Sequence, residues 1–121
     1  MITSDFNFLL DEQIKTCQNM LVSKATEYAT TADRLHNFKI AANLKGCTLR
    51  EAVGGLMVKH TVSVYDMIRD DNAFPMEVWN EKITDHLNYL FLLKAVLYEE
   101  ALEREQADIA QKASTNAKAE G

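Results

Sequence analysis

Helix-breaking residues are scarce in this sequence, which has one proline and four glycines among its 121 residues. Proline interrupts helix interiors and glycine weakens them, so their scarcity favours long, uninterrupted helices. The apolar fraction of 47% is typical of a globular protein, and a domain of this size buries roughly two-thirds of its unfolded surface. The composition therefore predicts one domain whose core needs no covalent cross-link.

Cysteine is rare as well. Cys17 and Cys47 are the two cysteines, and neither lies in a CxxC motif or in a Cys/His metal-binding spacing. Two reduced thiols in a cytosolic protein explain the pair better than a disulfide. The N-terminus lacks the basic and apolar regions of a signal peptide, and the apolar runs are too short to span a bilayer. We expect a soluble, cytoplasmic protein.

Positive charge is in the minority, with 13 Lys and Arg residues against 18 Asp and Glu residues and a net charge of −5. No run of basic residues and no basic surface with interleaved aromatics is present, which argues against duplex nucleic acid as a partner. A nucleotide is compatible with this charge if a cation or a few local basic residues meet its phosphates. P-loop, Gly-rich dinucleotide, nucleophile-elbow and HExxH motifs are all absent.

Apolar residues recur at intervals of three and four, which predicts helices rather than strands. Thr48 and Glu51 form a capping box at the start of the third helix, and Pro75 suits the first turn of the last one. The predicted fold class is all-α, an antiparallel bundle of three long helices and one short helix in a single domain over residues 1–104. Residues 105–121 are expected to form a frayed helix end or a disordered tail. The predicted helices cover residues 4–29, 34–44, 48–69 and 75–104.

The last helix is apolar on nearly every side. Its main apolar row is predicted to face inward, although Phe91, Leu92 and Val96 lie outside that row. A small bundle cannot cover every side of such a helix, so we expect helices on two sides of it or a second subunit. The protein is therefore expected to form a homodimer or a higher homo-oligomer. The main row consists of Trp79, Ile83, His86, Leu90, Leu93 and Leu97.

A polar line also runs along the last helix. Glu81, Asp85 and Asn88 share one face at spacings of four and three, and the line continues into Leu92 and Val96. Such a line predicts a groove that is open at its polar end and closed by packing at its apolar end. Two carboxylates four residues apart can hold a divalent cation, and Asn88 adds a neutral oxygen. The same spacing also fits a solvated helix edge.

The preceding helix carries a second polar line, made of Lys59, Ser63 and Asp66. Consecutive helices joined by short loops pack side by side, so this line is placed to face Glu81 and Asp85. Lys59 would then pair with a carboxylate or contact a phosphate. The alternative is an exposed helix edge. His60 and His86 lie within apolar faces, where a histidine is usually a neutral core residue.

The start of the short helix offers a third group of polar residues. Arg34 and Asn37 lie where exposed backbone N–H groups favour anions, and with Lys24 they are candidates for contacting phosphate oxygens. Tyr28 and Phe38 would flank a base, or else belong to the core.

Four motifs follow one another along about residues 20–98: Lys24-x-x-Glu27-Tyr28, the segment from Asp33 to Phe38, the line from Lys59 to Asp66, and Glu81-Lys82-x-x-Asp85-x-x-Asn88-Tyr89-x-x-Leu92. Their order and spacing resemble the small phage and prophage proteins of the nucleotide-modification-associated, MazG-like group. The resemblance implies an all-α nucleoside triphosphate pyrophosphohydrolase-like fold. In that superfamily a Glu-x-x-Glu helix and a Glu-x-x-Asp helix hold magnesium against the triphosphate, and water attacks to release pyrophosphate and a monophosphate.

The sequence departs from that family pattern. Asp85 matches the aspartate of the second motif, but Glu81 lies one residue before the expected glutamate, which is Lys82 here. The Glu-x-x-Glu motif is absent. The resemblance then implies one Mg²⁺ ion, held by Glu81, Asp85 and Asp66, with Glu81 and Asp85 as the catalytic pair.

Three hypotheses remain. The first is a phage-type nucleotide-binding protein of MazG-like fold, acting as a magnesium-dependent hydrolase in the host cytoplasm. The second is a relative that binds nucleotide through Lys24, Tyr28, Arg34, Asn37, Lys59 and Asn88 without hydrolysing it. The third is a non-enzymatic helical interaction module that binds a host or defence factor. The apolar character of the last helix and the acidic net charge favour this third hypothesis.

Overall fold

The computed structural model describes the backbone of residues 1–28 and 32–120 and the side chains of residues 1–25 and 32–119. The fold is all-α, as predicted, with three long helices and one short one. The predicted end of the first helix at Ala29 lies outside the described residues. The four helices are α1 (Thr3–Tyr28), α2 (His36–Lys45), α3 (Leu49–Arg69) and α4 (Met76–Glu120).

Local sequence signals set the turn between α2 and α3. Gly46 adopts a left-handed backbone with φ of 66°, and its N–H donates to Asn43 O, which ends α2. Thr48 then caps α3, because Glu51 N–H donates to Thr48 Oγ1 at 3.2 Å. The Glu51 carboxylate accepts in return from Thr48 N–H at 3.4 Å. The predicted capping box is confirmed.

The core lies where α3 packs against α4. Leu35, Val53 and Val96 form its buried cluster, and Phe38 and Leu92 are among the half-buried side chains packed against it. The two helices run antiparallel. Arg50 donates to Glu100 at 2.6 Å near one end of the pair, and a 2.9 Å hydrogen bond joins Thr61 to His86 near the other. These contacts fix the register between α3 and α4.

Helix α1 packs on α4 and runs parallel to it. Gln13 donates to Thr84 Oγ1 at 2.9 Å, and further along both helices Leu21 and Leu92 line a common cavity. Cys17, beside Gln13 on α1, is buried. Both α1 and α3 therefore pack on α4, which agrees with the expectation that this helix has neighbours on two sides.

The rotation of α4 differs from the prediction. Its fully buried positions are Thr84, Asn88 and Val96, whereas Leu90 and Leu97 of the predicted inward row are exposed. The reason is that α1 and α3 cover two neighbouring flanks of α4: Gln13 of α1 satisfies the buried Thr84 hydroxyl on one flank, and Val53 of α3 belongs to the same buried cluster as Val96 on the other. Leu90 and Leu97 consequently lie on the remaining, uncovered side of the helix.

Helix α4 also continues beyond the predicted domain end. Residues 105–120 are helical, where a frayed end or a disordered tail is expected from the sequence. The side chains of residues 101–119 are all exposed, so this part of the helix adds nothing to the core. Alanine, glutamate, glutamine and lysine are strong helix formers, which explains a helix without packing. Within the described part of the chain, no helix has both the length and the apolar character needed to cross a bilayer.

Shortening a core side chain tests the importance of the α3–α4 contact. Val53→Ala removes packing from a fully buried position, and we expect the free energy of unfolding to fall by about 1–3 kcal/mol. Val58→Ala, at an exposed position of the same helix, is the matched control and should change it by less than about 0.5 kcal/mol. Urea denaturation measures both. Equal losses would show that the core is centred elsewhere.

Candidate functional site

A cavity of about 290 Å³ lies between α1, α2 and α4. Its volume is near the lower end of the ~300–1,000 Å³ range of small-molecule sites. Polar and apolar side chains share its wall, and we call it the α1–α2–α4 cavity. The lining residues are Leu21, Lys24, Arg34, Asn37, Phe38, Asp85, Asn88, Tyr89 and Leu92.

The structure brings together four of the residues that the sequence singles out for nucleotide binding and one, Asp85, that it singles out for metal binding. Lys24 comes from α1, Arg34 from the turn before α2, Asn37 from the first turn of α2, and Asp85 and Asn88 from α4. These five residues lie in three separate segments of the sequence, yet they line one cavity. Their role in binding a ligand stays a prediction.

The structure separates Lys59 and Glu81 from this group. Lys59 and Glu81 are exposed and are not among the residues that line the cavity. The side chain of Tyr28 lies outside the described residues. Leu21 also lines the cavity but was not singled out from the sequence, because an apolar residue on an amphipathic helix carries no sign of ligand contact.

The expected three-carboxylate group is not found. Among the described residues, no three His, Cys, Asp or Glu side chains converge so as to hold a metal ion. The register of α3 against α4 explains this, because His60 is the α3 residue that faces Asp85, with Nδ1 4.0 Å from the carboxylate. Asp66 lies further along α3 and is exposed. Glu81, Asp85 and Asp66 are therefore not a metal-binding cluster by themselves, and magnesium binding stays a prediction.

Among the described residues, two of the three charged groups that line the cavity are positive. Lys24 and Arg34 are the cations, and Asp85 supplies the carboxylate. Burial is the main cause of the lowered pKa of the neighbouring His60; the Asp85 charge opposes it, and the charges of Lys59, Lys82 and Lys24 add to it. These lysines therefore offset part of the Asp85 charge beside the cavity, although the chain as a whole is acidic. A positive cavity in an acidic protein suits an anionic ligand.

Asn88 contributes a buried polar atom without a partner. It is 6% exposed, it lines the cavity, and its Oδ1 accepts no hydrogen bond from any described residue. Leaving a buried acceptor unsatisfied costs roughly 1–3 kcal/mol, and such groups are rare in folded proteins. A bound molecule that donates a hydrogen bond to Oδ1 would remove this cost.

Aromatic rings form one wall of the cavity. Tyr89 stacks on His60 with ring centroids 4.7 Å apart and an interplanar angle of 29°. Phe38 meets Tyr89 edge to face, with ring centroids 6.5 Å apart. Burial raises the pKa of the Tyr89 phenol, and the Asp85 charge adds to the effect, so the phenol stays neutral at physiological pH. Phe38 packs against the core, which is one of the two alternatives left open by the sequence, and it also lines the cavity. Its contact with a base stays a prediction.

An ion-pair bridge holds the segment that carries Arg34. Lys39 Nζ lies 2.8 Å from Asp33 and 2.6 Å from Glu99, and thereby ties the start of α2 to α4. The hydrogen bond from Lys39, followed by the one from Leu35 N–H, lowers the pKa of Asp33. Because Arg34 lies between Asp33 and Leu35, this bridge positions its backbone beside the cavity. The sequence gives no sign of a pair as distant as Lys39 and Glu99.

Comparison with known proteins adds no relative. No protein-family model matches this chain, and neither a curated protein nor a solved structure matches it significantly. The resemblance to the MazG-like group therefore stays a prediction made from the four motifs. What supports a function is the geometry of the α1–α2–α4 cavity and the charges around it.

His60 makes the stability of the fold depend on pH. Its pKa is lowered mainly because burial penalises the imidazolium, and this outweighs the attraction of Asp85. Below the unfolded pKa of about 6.5, the unfolded chain binds a proton that the folded chain binds less readily. We therefore expect the melting temperature to fall between pH 7 and pH 5. The variant His60→Gln should reduce this fall, whereas His36→Gln, outside the cavity, should retain it; identical profiles for all three proteins would contradict the assignment.

Proposed function

We propose that this protein binds a small phosphate-bearing molecule, a nucleotide, in the α1–α2–α4 cavity, and that binding rather than hydrolysis is its activity there. The observation that carries the proposal is the buried Oδ1 of Asn88, which has no hydrogen-bond partner among the residues the structure describes and lies in the same cavity as Lys24 and Arg34. An unsatisfied acceptor beside two cations matches a ligand that has both a donor group and a negative charge.

The cationic part of the cavity would hold the phosphate. Arg34 presents a planar fork of N–H donors, which suits two phosphate oxygens at once, and Lys24 adds a point charge. Asn37 lies in the first turn of α2, whose free backbone N–H groups also favour an anion. Side chains from α1 and α2 would thus meet on one ligand group.

The aromatic part would hold the base. Phe38 and Tyr89 offer apolar ring surface, and Asn88 Oδ1 would accept a hydrogen bond from an amino group or a ring N–H of the base. The cavity volume of about 290 Å³ suits a mononucleotide better than a dinucleotide or a nucleic-acid strand. We place the base against Tyr89 and the phosphates toward Arg34.

The side chains present favour binding over hydrolysis. The superfamily reaction implied by the resemblance needs several carboxylates around magnesium, and among the described residues Asp85 is the carboxylate that lines this cavity. Glu81 and Asp66 form no cluster of three with it. The two cations of the cavity would neutralise phosphate charge directly. Magnesium-dependent hydrolysis stays the alternative, and recovery of intact nucleotide after prolonged incubation with the protein would separate it from binding.

A helical interaction module is the second candidate function. The exposed apolar side chains on the outer side of α4 favour it, since large exposed apolar surfaces often mark contact sites for other proteins. This candidate does not account for the unpartnered Oδ1 of Asn88 or for the cations beside it. It becomes the better explanation if no nucleotide binds.

Thermal denaturation with a panel of ribo- and deoxynucleotides, with and without Mg²⁺, tests the proposed binding. A ligand that binds the native state must raise the melting temperature. The variant Arg34→Gln removes one cation, and we expect it to weaken binding of the best nucleotide at least about tenfold while leaving the matching nucleoside little affected. The matched control Arg104→Gln lies on the exposed end of α4 and should bind like the wild type. No rise with any nucleotide would refute the proposal.

Asn88→Leu separates a binding role from a structural one. Leucine has nearly the shape of asparagine without the polar atoms, so this variant removes the unsatisfied acceptor from the interior. We expect the ligand-free variant to be more stable than the wild type by about 1 kcal/mol and to lose nucleotide binding. Urea denaturation and calorimetric titration measure the two effects. A less stable variant that still binds would assign Asn88 to the scaffold.

A further inference from the structure

Helix α4 carries a second apolar surface, which the cavity does not use. Met76, Ile83, Leu90 and Leu97 follow one another at intervals of seven residues and are 37–65% exposed. We call these four side chains the outer row. Asp85, Asn88 and Leu92, which line the cavity, lie on a different side of the helix. The outer row is therefore apolar surface without an assigned role.

A groove continues the outer row onto α1. It has a volume of about 730 Å³, and its apolar walls come from Phe8 and Leu9 of α1 and from Met76 and Ile83 of α4. Because Met76 and Ile83 belong both to the groove and to the outer row, the two features form one continuous apolar surface. Polar side chains such as Asp5 and Glu12 lie at its edge.

The total exposed surface is larger than a monomer of this mass requires. The chain exposes 9,246 Å², whereas a monomeric globular protein of 13.7 kDa exposes about 6,600 Å². The projecting residues 101–119 account for part of this extra exposed area. About a third of the extra area would match the ~800 Å² that each partner buries in a stable interface. The chain therefore has enough surplus surface for an interface of standard size.

The seven-residue interval indicates what covers this surface. Helices that present an apolar row at this interval pack along one another, because slight supercoiling keeps the two rows in contact. The surface that matches such a row is another row with the same interval. A second copy of the chain supplies one, and a two-fold axis brings the same surface of both copies together.

We propose that this protein forms a homodimer in which the outer rows of two α4 helices pack against each other and the first turns of α1 close the groove. Lys94, which is exposed and close to Leu90 and Leu97 on the helix surface, would keep its ammonium group at the rim of the interface. The nucleotide cavity stays outside this interface. Dimer formation and ligand binding can therefore be tested independently, and failure of one proposal leaves the other intact.

Sedimentation equilibrium on the full chain at micromolar concentration tests the dimer. We expect a mass of about 27 kDa for the wild type, twice the 13.7 kDa of one chain. Leu90→Glu places a charge in the centre of the outer row, and its measured mass should be that of a monomer, 13.7 kDa. The matched control Val62→Glu introduces the same charge at an exposed valine of α3 and should remain a dimer.

A second variant distinguishes loss of the dimer interface from unfolding of the Leu90→Glu chain. Leu97→Gln is milder, and we expect it to raise the dimer dissociation constant at least tenfold while the circular-dichroism spectrum keeps its helical signal. A folded wild-type monomer, a larger assembly than a dimer, or folded Leu90→Glu and Leu97→Gln variants that dimerise like the wild type would overturn the proposal. A monomer would leave the outer row to a different protein.

Discussion

The register between α3 and α4 decides where the polar groups of the site lie. The buried cluster that contains Val53 and Val96 sets this register, and the Arg50–Glu100 ion pair supports it near one end. The side chain that consequently faces Asp85 is His60, whose pKa is lowered by burial. Asp85 therefore meets a mostly neutral imidazole with lysines nearby, and not the further carboxylates that a magnesium site would need.

Among the described helices, α1 packs against α4, whereas α4 packs against both α1 and α3. Among the side chains described for α1, Cys17 is the buried one, and the Gln13–Thr84 hydrogen bond is a polar link across the pair. Yet α1 supplies Leu21 and Lys24 to the cavity. A ligand that contacts α1, α2 and α4 together would add the packing that α1 otherwise has little of. Ligand affinity and the docking of α1 are therefore linked.

Features that depend on neighbouring residues were predictable from the sequence, and features that depend on helix rotation were not. The capping box at Thr48, the turn at Gly46 and the all-α fold follow from local chemistry. The motifs that carry the family resemblance also contain eight of the nine lining residues described for the cavity, all except Leu21. Hydrophobicity alone, however, directs Leu90 inward and a residue such as Asn88 outward, whereas the structure does the opposite. Asp66 was misplaced for the same reason, because a spacing does not fix the register of one helix against another.

The rotation of α4 can be explained only if its inner side, which faces the cavity, and its outer side, which carries the outer row, are considered together. Taken as a single chain, α4 buries Thr84 and Asn88 and leaves Leu90 and Leu97 exposed, which reverses the usual preference. A helix that is apolar nearly all round is stable when it is covered on every side. If a second copy covers the leucines, their burial supplies the free energy of association, and the inner side is free to carry polar groups. The inner side can then keep an unsatisfied acceptor for a ligand, because the stability of the helix does not depend on that side alone.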